Sequence, residues 1–353
     1  MKQIPLFGES YERAARQLPV VGEQKDIRYV ATTVSTVLNT PAATGMSYWS
    51  LNPYIGCAFG CAYCYARYAH GYAMERAAAS DRLDVALRHD ARTMPPWLAF
   101  ERRVFVKRNA AAVLRRSLRN GSRRHEALAT GETIVIGTAT DPYQPAERRF
   151  QVMRSILEVL AEHAGLSIVI ITKSPLVTRD IDLLTRIARQ SRLGVHISLI
   201  TLDRALARRI EPRAPTPESR VRALARLRGA GIDAGVNVMP VLPGITDDPR
   251  ALDALVGRVA EAGASYVSAC ALRLQYTARK RYLPFIAEEF PELTASYRVA
   301  YGNGHQVGER YRAGLETFLR ARCRRHGVRF GGRTGDDLQV EPTAPEAGQL
   351  LLI

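Results

Sequence analysis

Cysteine is scarce in this chain: five in 353 residues, an odd number, with three of them inside residues 57–64 and Cys270 and Cys323 far away. That distribution excludes an ordinary disulfide framework and points the clustered thiols to metal binding or catalysis in a reducing compartment. Lysine is almost as rare. Of 50 basic residues only five are Lys, at positions 2, 25, 107, 173 and 280, so Lys107 and Lys173 stand out wherever arginine would have served. Long apolar runs are missing. The first ten residues, MKQIPLFGES, hold nothing of signal-peptide length, and no segment approaches the roughly 20 apolar residues of a membrane span. The expectation is a cytoplasmic protein with no membrane partner. Acidic residues are too few to balance the charge, 34 against 50. A net charge of +16 points to a polyanion such as nucleic acid, because bound Lys and Arg release counterions from phosphates; a solvated basic surface accounts for it equally well.

What is present is a globular composition, 46% hydrophobic and 24% charged, sufficient for a large core. Residues 1–48 carry little periodicity and read as an N-terminal extension. Residues 103–107, RVFVK, read as a short strand before a helix at 110–119 capped by Asn109. From there short apolar strands alternate with amphipathic helices: strands at 133–138, 166–172, 193–200, 232–244 and 264–274, with Asp180 and Thr216 as helix caps. Continuous apolar strands between helices mean parallel strands covered on both faces. The fold class is α/β, a barrel or a doubly wound sheet, with its chemistry at the C-terminal strand ends. Thr138, Thr140 and Asp141 follow one strand, Lys173 the next, and Ser198 closes the third, with Glu211 and Arg213 in the loop beyond it. Loop Ser, Thr and Asp are ordinarily caps and turn formers; Lys173 fits that description poorly.

The cysteines of residues 52–70, NPYIGCAFGCAYCYARYAH, are spaced C-x3-C-x2-C. A dithiol redox site leaves the third thiol without a role. A structural zinc site wants a fourth ligand, for which His70 is a candidate, and usually a second cluster of ligands. Three cysteines holding a [4Fe-4S] cluster would leave one iron open.

Cys57, Cys61 and Cys64 with Tyr63 before the last of them form a motif that resembles the radical S-adenosylmethionine superfamily. The stretches LNPYIGCAFGCAYCYAR, VKRN, GTATDPYQPAE, TKSPLVTRDIDLL and EPRAPTP together resemble its spore photoproduct lyase-like branch, in order from about residue 49 to 245. The resemblance implies a partial (β/α)6 TIM-like barrel spanning 49–275, with a helical region at 276–330 and a tail at 331–353. It implies that Cys57, Cys61 and Cys64 ligate a [4Fe-4S] cluster whose fourth iron chelates S-adenosylmethionine, and that an electron from a flavodoxin- or ferredoxin-like donor starts radical chemistry. Tyr63 would then pack near the adenine and Lys173 would pair with the methionine carboxylate. Ser198 would bind the ribose, and Glu211 and Arg213, paired with each other, would line the same wall. Thr138, Thr140 and Asp141 stand where other members carry a Gly-Gly-Glu stretch for the methionine amino group, and this chain departs from that wording. Spore photoproduct lyase returns hydrogen from a cysteine, yet no cysteine lies between Cys64 and Cys270; Cys270, Tyr143 and Tyr276 are the candidates to replace it. Nucleic acid leads as substrate, with residues 107–124 as a phosphate-contacting face, ahead of a peptide or small metabolite and of a non-catalytic metal protein. Finally, Gln3 to Phe7 resembles the pentapeptide with which repair proteins bind the sliding clamp.

Overall fold

The computed structural model describes residues 20–24, 26–67, 90, 93–119, 126–128, 130–302 and 304–331. The clamp-like segment Gln3 to Phe7, His70, and residues 120–125 of the basic stretch lie outside the described residues.

Two sheets organise the chain. The larger has eight strands, built on β3 (Leu38–Asn39), β4 (Trp49–Leu51), β7 (Thr133–Ile136), β8 (Ser167–Thr172), β9 (Arg192–Ser198), β10 (Ala234–Val241), β11 (Tyr266–Ala271) and β12 (Arg329–Phe330), side by side in the order β12-β11-β10-β9-β8-β7-β4-β3. Every pair from β4 to β12 is parallel, and only β3 runs antiparallel, against β4. The β7, β8, β9, β10 and β11 positions are those the apolar runs predict. Their side chains are buried almost throughout, as parallel strands between helices require. This is the open, partial barrel.

Helices cover the sheet. Pro217–Gly229 is representative: Thr216 accepts from the backbone of Ser219, Pro217 takes the first turn, and Val221, Leu224 and Leu227 face the core. Asn109 and Asp180 behave differently from the caps their positions predict. Asn109 uses its amide to bind Val34 at both backbone atoms, 2.9 Å each, and Asp180 binds Arg154 and Arg179 at 2.8 Å; neither side chain caps.

The smaller sheet, in the order β1-β2-β6-β5, joins β1 (Val20–Gln24), β2 (Ile27–Thr32), β5 (Tyr54–Ile55) and β6 (Arg103–Lys107). The extension at 1–48 therefore contributes strands, β2 lying parallel to β6 over five residues. The RVFVK strand belongs here and not in the barrel. At Asn52 and Pro53 the chain leaves β4 of the large sheet and enters β5 of the small one, so the cysteine loop starts in the seam between the sheets. Among the described residues no helix is long and apolar enough to cross a membrane.

Candidate active site

The cysteine loop is fixed by its backbone. Gly56, with φ +86°, turns the chain out of β5, and its carbonyl accepts from Thr140 Oγ1 at 2.5 Å and from Gln144 Nε2 at 3.0 Å. Cys57 N–H donates to the carbonyl of Phe100 at 2.9 Å, Ala58 N–H to Gln144 Oε1 at 2.9 Å, and Ala62 N–H to the carbonyl of Ile210 at 3.0 Å. Gly60 is required twice over. Its φ is +66°, and a Cβ there would sit 2.2 Å from Glu101 Oε2. Cys57 and Cys61 are buried and Cys64 is partly exposed.

The loop after β7 closes one side. Gly137, φ +98°, lets the backbone pass against Ile171, whose carbonyl a Cβ would meet at 2.4 Å. Thr138 Oγ1 is shared with Ser50 Oγ at 2.6 Å and with Asn52 Nδ2 at 3.0 Å. Thr140 is committed to Gly56. Asp141 accepts from Tyr143 N–H at 2.9 Å, Thr172 Oγ1 at 2.7 Å and Lys173 N–H at 2.7 Å, stitching the β7 loop to the end of β8. Burial raises the Asp141 pKa against the lowering effect of those bonds. Of the three side chains, Thr140 bonds the start of the cysteine loop, Thr138 bonds the residues that lead into it, and Asp141 ties the β7 loop to the end of β8.

Opposite them stands a charged wall. Glu211, 2% exposed, accepts from Tyr63 Oη and from Arg220 Nη2, and its Oε1 lies 4.0 Å from Lys173 Nζ. Lys173 also lies over the Tyr63 ring at 5.7 Å. Burial raises Glu211, but Arg220 and Lys173, with the two hydrogen bonds, outweigh it and hold the carboxyl below its ordinary value. Burial likewise lowers Lys173, and Cys61 and Glu211 more than offset it, leaving the ammonium above its ordinary value. Ser198 ends β9 with its carbonyl accepting from Arg220 Nη1 at 3.0 Å. The expected Glu211–Arg213 pair does not form. Arg213 instead bonds the carbonyl of Ala58 at 2.6 Å and Glu101 at 2.5 Å.

Four residues with no sequence-derived role complete the arrangement: Asn52, Gln144, Arg67 and Arg220. Arg220 carried a legible signal, since it interrupts the apolar stripe Pro217, Val221, Leu224, Leu227 of its helix. Of the candidates to return hydrogen, Tyr143 is buried at 1% exposure, Cys270 is partly exposed near the end of β11, and the Tyr276 side chain lies outside the described residues.

The donor set fits an iron-sulfur cluster. Burial pushes the Cys57 thiol up to about 12, Asp141 and Cys64 adding to it; Cys61 is pushed well above its ordinary value by burial, with Cys64 and Cys57 contributing. The three cysteines are held on one loop, between Gly56 and Tyr65. Among the described residues, no three His, Cys, Asp or Glu side chains meet in the coordination sphere of a single ion. Three thiols on one loop could each bind an iron of a [4Fe-4S] cluster and leave the fourth open, and loading would exchange their protons for metal.

The family model described as Radical SAM superfamily matches residues 51–255, a span that holds the three cysteines, both site walls and strands β7 to β10. The chain belongs to the radical SAM superfamily. An uncharacterized protein of Mycobacterium tuberculosis is 37% identical over 279 residues, 79% of this chain and 74% of its own length. An uncharacterized protein of Methanocaldococcus jannaschii is 28% identical over 200 residues, 56% of this chain and 61% of its own. A solved spore photoproduct lyase mutant with bound AdoMet and dinucleoside spore photoproduct shares the fold, with a TM-score of 0.59 over 94% of this chain and 86% of that one, at 14% identity.

Proposed function

We propose that this protein is a radical S-adenosylmethionine enzyme that acts on nucleic acid. Superfamily membership supports the chemistry, and the observation that carries it is the loop bearing Cys57, Cys61 and Cys64, anchored by its backbone in the seam between the two sheets and close to Lys173 and Glu211. Cys57, Cys61 and Cys64 would hold a [4Fe-4S] cluster which, with S-adenosylmethionine, would supply radical chemistry for hydrogen abstraction from a substrate. The chain's own part is to bind, orient and exclude water. Cys57, Cys61 and Cys64 are the iron ligands. Lys173, held charged by Glu211, is the partner of the methionine carboxylate, and Ser198 is a hydrogen-bonding partner of the ribose. Tyr63, tied by its hydroxyl to Glu211, presents a fixed aromatic face to the adenine. Thr138, Thr140 and Asp141 act by holding the β7 loop in shape. The reducing electron comes from an external donor of the flavodoxin or ferredoxin type.

The net charge of +16 favours a polyanionic substrate, and the spore photoproduct lyase structure of similar fold has bound AdoMet and dinucleoside spore photoproduct. The test is 5'-deoxyadenosine formation by the reconstituted, dithionite-reduced protein in the presence of single-stranded DNA, duplex DNA, RNA or a peptide mixture. Stimulation of several-fold by a nucleic acid, falling as salt rises, is expected. Stimulation by the peptide mixture alone would overturn the substrate assignment.

A further inference from the structure

A second group of charges lies on the other side of the cysteine loop. Arg67 has no exposed surface. Its Nη2 donates to the carbonyl of Cys61 at 2.8 Å, its Nη1 donates to the carbonyl of Trp97, and its guanidinium lies over Phe100 at 5.4 Å. Arg213 reaches the same loop from the β9 side, Nε donating to the carbonyl of Ala58 at 2.6 Å and its backbone N–H to that of Phe59 at 3.3 Å. Glu101, 6% exposed, sits between them, 2.5 Å from Arg213 Nη2 and 3.7 Å from Arg67 Nη1. Arg281, from the helix Tyr276–Glu289, stacks over Trp97 at 5.4 Å and Phe285 at 5.7 Å. Burial lowers its pKa.

Two guanidiniums, Arg67 and Arg213, thus gather about one buried carboxylate, against the backbone of the segment between Cys57 and Cys61. A surplus of buried positive charge is costly unless something anionic offsets it, and carbonyl groups could be held by neutral donors. We propose that Arg67 and Arg213 are fixed positive charges that favour uptake of an electron by the cluster, so that together with Glu101 they set its reduction potential. The proposal rests on the reading that Cys57, Cys61 and Cys64 hold a cluster. Three thiolates make such a cluster anionic. Reduction transfers one electron from the external donor, with no bond made or broken, and adds negative charge to a site shielded from water. Fixed charge acts more strongly there than in solvent, and hydrogen bonds and charges around the sulfurs are what tune cluster potentials. Removing an arginine therefore makes the potential more negative, and neutralising Glu101 makes it more positive.

The experiment is an anaerobic redox titration of the iron- and sulfide-reconstituted full-length chain, followed by visible absorption and electron paramagnetic resonance. The proteins are the wild type, Arg213→Gln, Arg213→Lys, Arg67→Gln and Glu101→Gln. Arg213→Gln and Arg67→Gln are expected to shift negative, Arg213→Lys to stay near the wild type, and Glu101→Gln to shift positive. Arg67 is fully buried and Arg213 is 33% exposed, so the Gln-versus-Lys comparison at Arg213 decides even if Arg67→Gln fails to fold. A structural clamp alone would move the Arg and Glu variants in one direction or leave the potential untouched; either result overturns the proposal. A wild type that loads no iron overturns it as well, together with the reading beneath it, and is told apart by the iron count.

Discussion

Lys107 offers a test of the seam that holds the cysteine loop. It ends β6 at 7% exposure, and its Nζ donates to the carbonyl of Asn52 at 2.7 Å, where the chain crosses between sheets. Burial alone lowers its pKa from the ordinary 10.5 to about 8. A drop of that size corresponds to about 3 kcal/mol between folded and unfolded chains. The sign follows from proton counts: between pH 8 and 10.5 the unfolded chain binds more protons at this position, so stability rises with pH there. Below pH 8 the full cost of the buried ammonium is present. Lys107→Met removes the titration. Urea unfolding of both proteins at pH 7, 8, 9 and 10 isolates Lys107, because every other titration cancels in the difference. The wild type should gain about 2 kcal/mol on the variant between pH 7 and pH 10. Parallel stability curves would refute the assignment of Lys107 as a buried, unpaired charge.

Glu211→Gln leaves Arg220, 1% exposed, without its carboxylate and should cost about 3–5 kcal/mol, read as a lower denaturation midpoint. Because the Glu211 carboxyl is held below its ordinary value, its contribution is present above the unfolded carboxylate range and is lost as pH falls through the folded value. The variant's deficit should therefore shrink towards low pH. Gly235→Ala would drive a methyl to 2.4 Å from the Tyr266 ring and should cost about 1–3 kcal/mol by overpacking. Gly194→Ala, whose Cβ would find the Tyr266 hydroxyl at 3.7 Å, is the control and should cost less in the same thermal melt.

The alternation of apolar strands with amphipathic helices made five of the barrel strands legible, because a parallel strand buried on both faces has no polar alternation to obscure it. The cysteine loop was legible because its spacing is chemical rather than conformational. The smaller sheet was legible only at β6, the RVFVK strand. Its β5 is two residues long and pairs with β6 some fifty positions later, so no local periodicity marks it. Partner choice within the site was equally hidden: Glu211 and Arg213 are two residues apart in sequence, yet Glu211 bonds Arg220 and Arg213 bonds Glu101. The polar residues of the β7 loop follow a strand that its apolar run marked, while their bonds to Gly56, Asn52 and Thr172 depend on segments that only the fold brings together.

The most direct measurement is iron content and 5'-deoxyadenosine yield after anaerobic reconstitution with iron and sulfide, reduction by dithionite and addition of S-adenosylmethionine. The wild type should bind about four irons per chain and release 5'-deoxyadenosine, and Cys57→Ala, Cys61→Ala and Cys64→Ala should each lose both. Zinc in place of iron, or nucleoside formation that survives the three substitutions, would contradict the account.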